Sequence, residues 1–319
     1  MHLRLIVPPD RSKRVLDTLV DDPRVTSIVQ LPGAAHRPAG DVIECDVTRE
    51  ATSDILAWLK DQGLYDEGSV ALAQVDAAPS RNARETEKAA PGAPDDAVIW
   101  DAVVDNAYNE AKGSWVYYAF LTLATMIAAV AVVTDSAILV VGAMVVGPEF
   151  GVVAALAVGI ALRNPGLTWR SARLLVLGFL LAILLTTLVA LLARAVGWID
   201  VGDVTAERPL TGFIWRPDKW SAVVAVLAGC AGVLSQTAGR SNALVGVFIS
   251  VTTVPAAGDL ALSIALWAPH HIGGAAAQLG INLAGMTVAG VLTLLVQRRI
   301  WRMYLRVKST RSAGARVEA

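Results

Sequence analysis

Glu149 follows Gly147-Pro148 in the middle of the apolar stretch Val141 to Leu162, and Asp259 follows Pro255 and Gly258 in the apolar stretch Val245 to Leu266. A carboxylate in such surroundings is costly, and intramembrane acids mark ion or proton paths. Each is therefore a candidate ligand for a proton or a small cation. Proline lacks an N–H and frees a carbonyl one turn back, and irregular backbone at membrane depth survives only where protein or water covers it. Thr252 and Thr253 add hydroxyls beside the second proline, so this stretch offers the oxygens that Na⁺ or H₃O⁺ would take. Gln278 and Asn282 fall one turn apart on one helical face and add two amides. The candidate site is thus Glu149, Asp259, Thr252, Thr253, Gln278 and Asn282, with helix breaks expected at Gly147, Pro148, Pro255 and Gly258. A plainer account stands beside each: the acids as caps of half-helices, the amides as interhelical hydrogen bonds.

Other chemistry finds no support. No metal-ligand spacing involves Cys45 or Cys230, and the adjacent His270 and His271 read as a solvated turn. Gly-x-Ser-x-Gly, His-Glu-x-x-His, Walker and Rossmann patterns are missing from usable contexts. Asp135 falls in an outer loop, away from Asp259, which argues against an aspartyl dyad. No enzyme activity, metal or cofactor is expected. With a net charge of −1, nucleic acid is not an expected partner.

The elements that must hold the site are membrane helices. The chain has 319 residues, 55% hydrophobic and 17% charged, with mean hydropathy +0.53, and the apolar residues concentrate after position 113. Stretches of about 20 apolar residues span a bilayer, and six are expected: 115–133, 137–162, 174–196, 220–235, 243–267 and 272–296. Trp115, Trp198, Trp220 and Trp267 lie near span ends, as interfacial aromatics do. Arg163, Arg170 and Arg173 follow the second span, Arg240 follows the fourth, and a basic tail from Arg298 follows the sixth. The loop 198–219 mixes both signs. Both termini are therefore expected in the cytoplasm, consistent with an N-terminus that lacks a signal-peptide core. Arg194, near an outer span end, would snorkel.

The two interrupted stretches open alike with Val-Gly and close almost alike, LAVGIAL (156–162) against LALSIAL (260–266). With three spans on either side, the halves have opposite orientation. The fold class expected is a membrane all-α domain of six transmembrane helices, two inverted three-helix repeats with broken second and fifth helices.

Ahead of it, residues 1–76 alternate strand-like and helical patterns in the order β-α-β-β-α-β. That is an α+β, ferredoxin-like pattern, expected in the cytoplasm. Residues 77–94 read as a linker, 95–113 as an amphipathic helix packed on protein, 114–297 as the membrane domain and 298–319 as the tail.

Asp135-Ser136 followed by VVGAMVVGPEFGVVAALAVGIAL (140–162) resembles the signature of a bacterial membrane family known only as domain of unknown function 389. Gly142-Ala143-Met144 and Pro148 match its first broken span. That family carries two adjacent prolines in a later span, where this chain has Pro255-Ala256, and Gln278 and Asn282 resemble a polar cluster in its last span. The resemblance covers residues 114–296, and the N-terminal domain is also family-like. It implies an architecture and no substrate.

The expected function is secondary transport or a channel-like conductance for a small solute or ion, coupled to H⁺ or Na⁺, under a regulatory soluble domain. The alternative is a membrane-anchored sensor or scaffold whose soluble domain binds an effector. The expected setting is the bacterial inner membrane, with the lipid bilayer as partner and the chain as a homo-oligomer.

Overall fold

Strand β1 (His2–Val7), helix α1 (Pro9–Asp21), strands β2 (Val25–His36) and β3 (Ala39–Val47), helices α2 (Arg49–Asp61) and α3 (Leu64–Glu67) and strand β4 (Ser69–Ala73) follow one another at the start of the chain. The computed structural model describes residues 1–75, 78–90, 92, 97–238 and 251–315, with side chains through residue 300. Its contacts divide the chain into two units, Met1–Ala102 and Val103–Ala319.

In the first unit the strands form an antiparallel sheet in the order β2-β3-β1-β4. Period-2 alternation in register Leu3↔Cys45 and Leu5↔Ile43 puts Leu3, Leu5, Ile43 and Cys45 on one face. They pack there against Val15 and Leu19 of α1 and Ile55, Leu56 and Leu59 of α2. Strand β2 carries register shifts and Gly33 at φ 63. Two expectations change. The expected linker holds helix α4 (Arg81–Ala89), started by Ser80, whose side chain accepts from the Ala83 N–H. Its composition looked structureless because only one face needs to touch the sheet. The unit also passes the expected boundary at 76. Ile99 joins its core, and the carbonyls of Ala97 and Val98 accept from Arg49 Nε and Ser53 Oγ. Those residues precede the helix, and α5 begins only at Trp100, ending at Glu110.

The second unit is helical. Helix α6 (Trp115–Val133) matches its expected span. The second span is broken, as expected at Gly147-Pro148, into α7 (Ala137–Val146) and α8 (Glu149–Ala161), bent by 52°. Then come α9 (Pro165–Ala195), a connection with the short helix α10 (Val201–Thr205) and a 3₁₀ turn at Gly212–Ile214, and α11 (Lys219–Ala238). Helix α12 (Thr253–Leu266) and the long α13 (Pro269–Ala315) complete the unit. Among the described residues, four helices are long and apolar enough to cross a membrane, five with the bent pair counted as one span. Arg240, Ser241 and the first part of the expected fifth span lie outside the described residues, as do the side chains of the tail beyond residue 300.

Two expected breaks are corrected. Pro255 and Gly258 both lie inside α12, which begins at Thr253. Pro255 falls in the first turn, where the missing N–H would have had no helical partner. At Gly258 the absent Cβ admits α6: a Cβ there would stand 2.8 Å from Ala128 Cβ and from Ala129 N. Helix α12 packs on α6, α9 and α13; α8 packs on α9, α11 and α13; α6 packs on α9 and α11 on α13.

Candidate functional site

Packing of α12 on α13 brings three of the expected site residues together. Thr252, just before α12, accepts at Oγ1 from Gln278 Nε2 and from Asn282 Nδ2, both at 3.0 Å. Gln278 Nε2 also lies 3.5 Å from Asn282 Oδ1. One turn of α13 thus presents both amides to one hydroxyl, as their spacing implied. With two donors on its oxygen, Thr252 keeps its own O–H for a further acceptor.

Glu149 arrives from the span broken at Gly147-Pro148. It is the first residue of α8 and is buried. A Cβ on Gly147 would overlap Glu149 Oε2 and stand 2.8 Å from Val254 Cγ2. The break at Gly147-Pro148 therefore abuts the first turn of α12, and the glycine is what lets them meet. Three buried oxygens of the expected residues, Glu149 Oε2, Thr253 Oγ1 and Gln278 Oε1, have no hydrogen-bond partner among the described residues. Burying such atoms unpaired costs about 1–3 kcal/mol each, more when charged. The arrangement offers oxygen acceptors and a hydroxyl where two helices begin, a donor set suited to a small cation or a protonated group.

Asp259 is placed elsewhere. It sits within α12, so it does not cap a half-helix beginning at Leu260, the role weighed for it from sequence. Its carboxylate is fully buried and bonds Arg208 Nη1 at 2.7 Å, on a guanidinium itself only 3% exposed. Arg208 Nη2 lies 3.2 Å from His271 Nδ1, and the Trp215 ring stacks on that imidazole at 3.8 Å. His271, expected in a solvated turn, is buried. The connection carrying Arg208 is held down a second time by Asp135, which accepts from Thr211 Oγ1 at 2.8 Å and from the Leu210 N–H at 3.3 Å. Arg194 gives its guanidinium to the carbonyl of Ala265 at 2.9 Å, so it ties α9 to the end of α12 where snorkelling was expected. Thr187 does the same from mid-α9, donating to Ala261 O at 3.2 Å.

Sequence reasoning missed Arg208, Trp215 and His271. Arg208 lies in a loop of mixed charge, 51 positions from its acid, and no periodicity links them. Tyr117, near the start of α6, was missed too; its buried hydroxyl has no partner among the described residues and lies against Gly178 of α9. Among the described residues no cluster of His, Cys, Asp and Glu could hold a metal ion.

Long apolar helices, and a helix pair broken at Gly147-Pro148 beside a buried polar cluster, define a mostly helical protein compatible with a membrane setting. Residues 144–288 match the family described as Domain of unknown function (DUF389), and the chain carries that domain, as its signature residues implied. The matched segment contains Pro148, Glu149, Thr252, Gln278 and Asn282. An uncharacterized protein of Methanocaldococcus jannaschii is 25% identical over 135 residues, 42% of this chain and 39% of that protein. The match thus covers less than half of the relative's length. No solved structure matches.

Proposed function

We propose that the second unit is a six-span secondary transporter or channel-like path for a small ion or solute, coupled to H⁺ or Na⁺, in the cytoplasmic membrane with both termini inside. The observation that carries this reading is the meeting of the Gly147-Pro148 break with the start of α12, where Glu149, Thr253 and Gln278 keep unpartnered buried oxygens. Glu149 is the coupling group, and Thr252, Gln278 and Asn282 line the path. Asp259 acts through Arg208, as part of the closure of one mouth.

An inverted repeat supports this reading. In the register that places Pro165 on Pro269, helix starts coincide: Trp115 with Lys219, Glu149 with Thr253, and Pro165 with Pro269. The left-handed residues Arg163 (φ 55) and Trp267 (φ 57) coincide as well. So do two helix caps, Ser114 accepting from the Tyr117 N–H and Asp218 accepting from the Ser221 N–H. Exchanging α6 with α11, α8 with α12 and α9 with α13 also leaves the pattern of helix packing unchanged. Paired halves of this kind build transport sites at their interface.

The test is flux in vesicles holding the full chain, read with H⁺- and Na⁺-sensitive dyes. The reading expects flux above protein-free vesicles and a loss of about tenfold or more in Glu149→Gln, where tenfold corresponds to about 1.4 kcal/mol of barrier. Equal flux in the variant removes Glu149 from the coupling role.

A second reading has its own observation. The first unit, a ferredoxin-like regulatory domain in this account, has a crevice of about 190 Å³ lined by Thr18, Asp22, Arg24, Asp54 and Trp58. Effector binding there, in a protein without flux, would make the chain a membrane-anchored sensor.

A further inference from the structure

Where α5 turns into α6, a crevice of about 290 Å³ opens against the start of α9, lined by Tyr118, Trp169, Arg170, Arg173, Leu174 and Leu177 among others. We propose that it binds an anionic glycerophospholipid, the phosphate held by Arg170 and Arg173 and an acyl chain lying along Leu174 and Leu177. The inference needs only that these helices lie in a bilayer; it does not depend on transport.

Helical spacing builds the site. Trp169, Arg170, Arg173, Leu174 and Leu177 recur at three- and four-residue intervals, so they share one face of α9. Charge gathers at its first turns and apolar surface follows deeper into the span. Trp169 is 71% exposed and Leu177 42%, which puts an amphipathic ring at headgroup level and a leucine toward the acyl chains. Arg170 Nε donates to the Ala111 carbonyl at 2.9 Å. That bond orients the guanidinium and leaves its two terminal nitrogens for an acceptor, in the planar fork that suits phosphate oxygens. Among the described residues no carboxylate forms an ion pair with Arg170 or Arg173. Glu110, next to Ala111 in the chain, has its carboxylate against Gly151 of α8. Lys112, bonded to Asn109 Oδ1 at 2.7 Å, adds a third positive charge at the elbow.

Uncompensated positive charge favours an anionic headgroup over a zwitterionic one, and basic pockets between spans on the positively charged side bind such headgroups. The same arginines could take free phosphate; the apolar floor is what points to a lipid. Each basic residue adds to the attraction, so the preference should be on the order of tenfold.

Brominated acyl chains quench nearby tryptophan, which gives the test. The full chain in neutral micelles is titrated with brominated phosphatidylglycerol or brominated phosphatidylcholine. Trp169→Phe, treated identically, isolates the signal of Trp169. The expected result is quenching of Trp169 at roughly tenfold lower phosphatidylglycerol than phosphatidylcholine, unaffected by excess inorganic phosphate. Arg173→Gln, which leaves the Arg170–Ala111 bond in place, should reduce the preference by about half on a logarithmic scale, and adding Arg170→Gln should abolish it. Equal quenching by the two lipids, an unchanged preference in the variants, or full displacement by inorganic phosphate would overturn the proposal.

Discussion

Thr252 accepts two amide hydrogens on one oxygen, and a side chain so held can orient its own proton toward a ligand. Replacing Asn282 by leucine removes one donor and keeps the number and branching of the side-chain heavy atoms; the expected outcome is loss of flux in protein that still folds cooperatively, compared by flux assay and denaturant titration on the same preparation. Arg208 and Asp259 obey a different arithmetic. Breaking a buried ion pair from one side strands a charge and costs about 3–5 kcal/mol, whereas an apolar pair of similar volume can restore stability. Asp259→Leu alone should therefore lower the midpoint sharply, and Arg208→Met with Asp259→Leu should recover most of it. Equal destabilisation in single and double variants would contradict the pairing. At this scale the sequence exposed Glu149, Gln278 and Asn282, because a polar group in an apolar run stands out. It concealed Arg208 and His271, because a charge in a polar loop gives no sign of folding back to a buried acid.

Among the elements, the two prolines teach opposite lessons. Pro148 interrupts a span between two helices; Pro255 lies in the first turn of one, where proline costs nothing. Sequence alone shows a proline in an apolar run in both cases, and only the position of the helix start separates them. The connection between α9 and α11 was legible as a loop but not as a packed one. A Cβ on Gly274 would overlap the carbonyl of Trp215, so Gly274→Ala should push that connection off His271. The expected cost is about 1–3 kcal/mol, typical of inserting a carbon into a filled site, with faster protease cleavage between residues 198 and 218. Unchanged cleavage would show that the loop is not seated there. The sheet of the first unit was the most legible element, because period-2 alternation in β1 and β3 survives in any half-buried strand.

For the whole molecule, the two units differ in what sets their stability. Cys45 lies in the sheet core of the first unit, and burial pushes its thiol from 9.0 up to about 12. A thiol held neutral in the fold stabilises fully below its ordinary value; from pH 9 toward 12 the unfolded chain releases a proton that the folded one keeps. Stability should fall there by up to about 1.4 kcal/mol per pH unit, and Cys45→Ala should flatten that slope in denaturant titrations followed at pH 8 and 10.5. An identical slope in the variant would assign the loss to other groups. In the second unit the matching helix starts were only partly visible in sequence: the ends of two apolar stretches agree, while Pro165 and Pro269 acquire meaning once both are seen to start helices.

If the Gly147-Pro148 break and the start of α12 meet at a polar, water-reachable site, Thr252 is accessible from water. In a chain with Cys45→Ala and Cys230→Ala, Thr252→Cys is treated in sealed vesicles with a small, positively charged methanethiosulfonate, and labelling is read by mass spectrometry. Labelling is expected, slowed by Na⁺ at constant pH and ionic strength. A cysteine that stays unlabelled while the protein is folded and inserted would mean a dry interior, and a scaffold in place of a path.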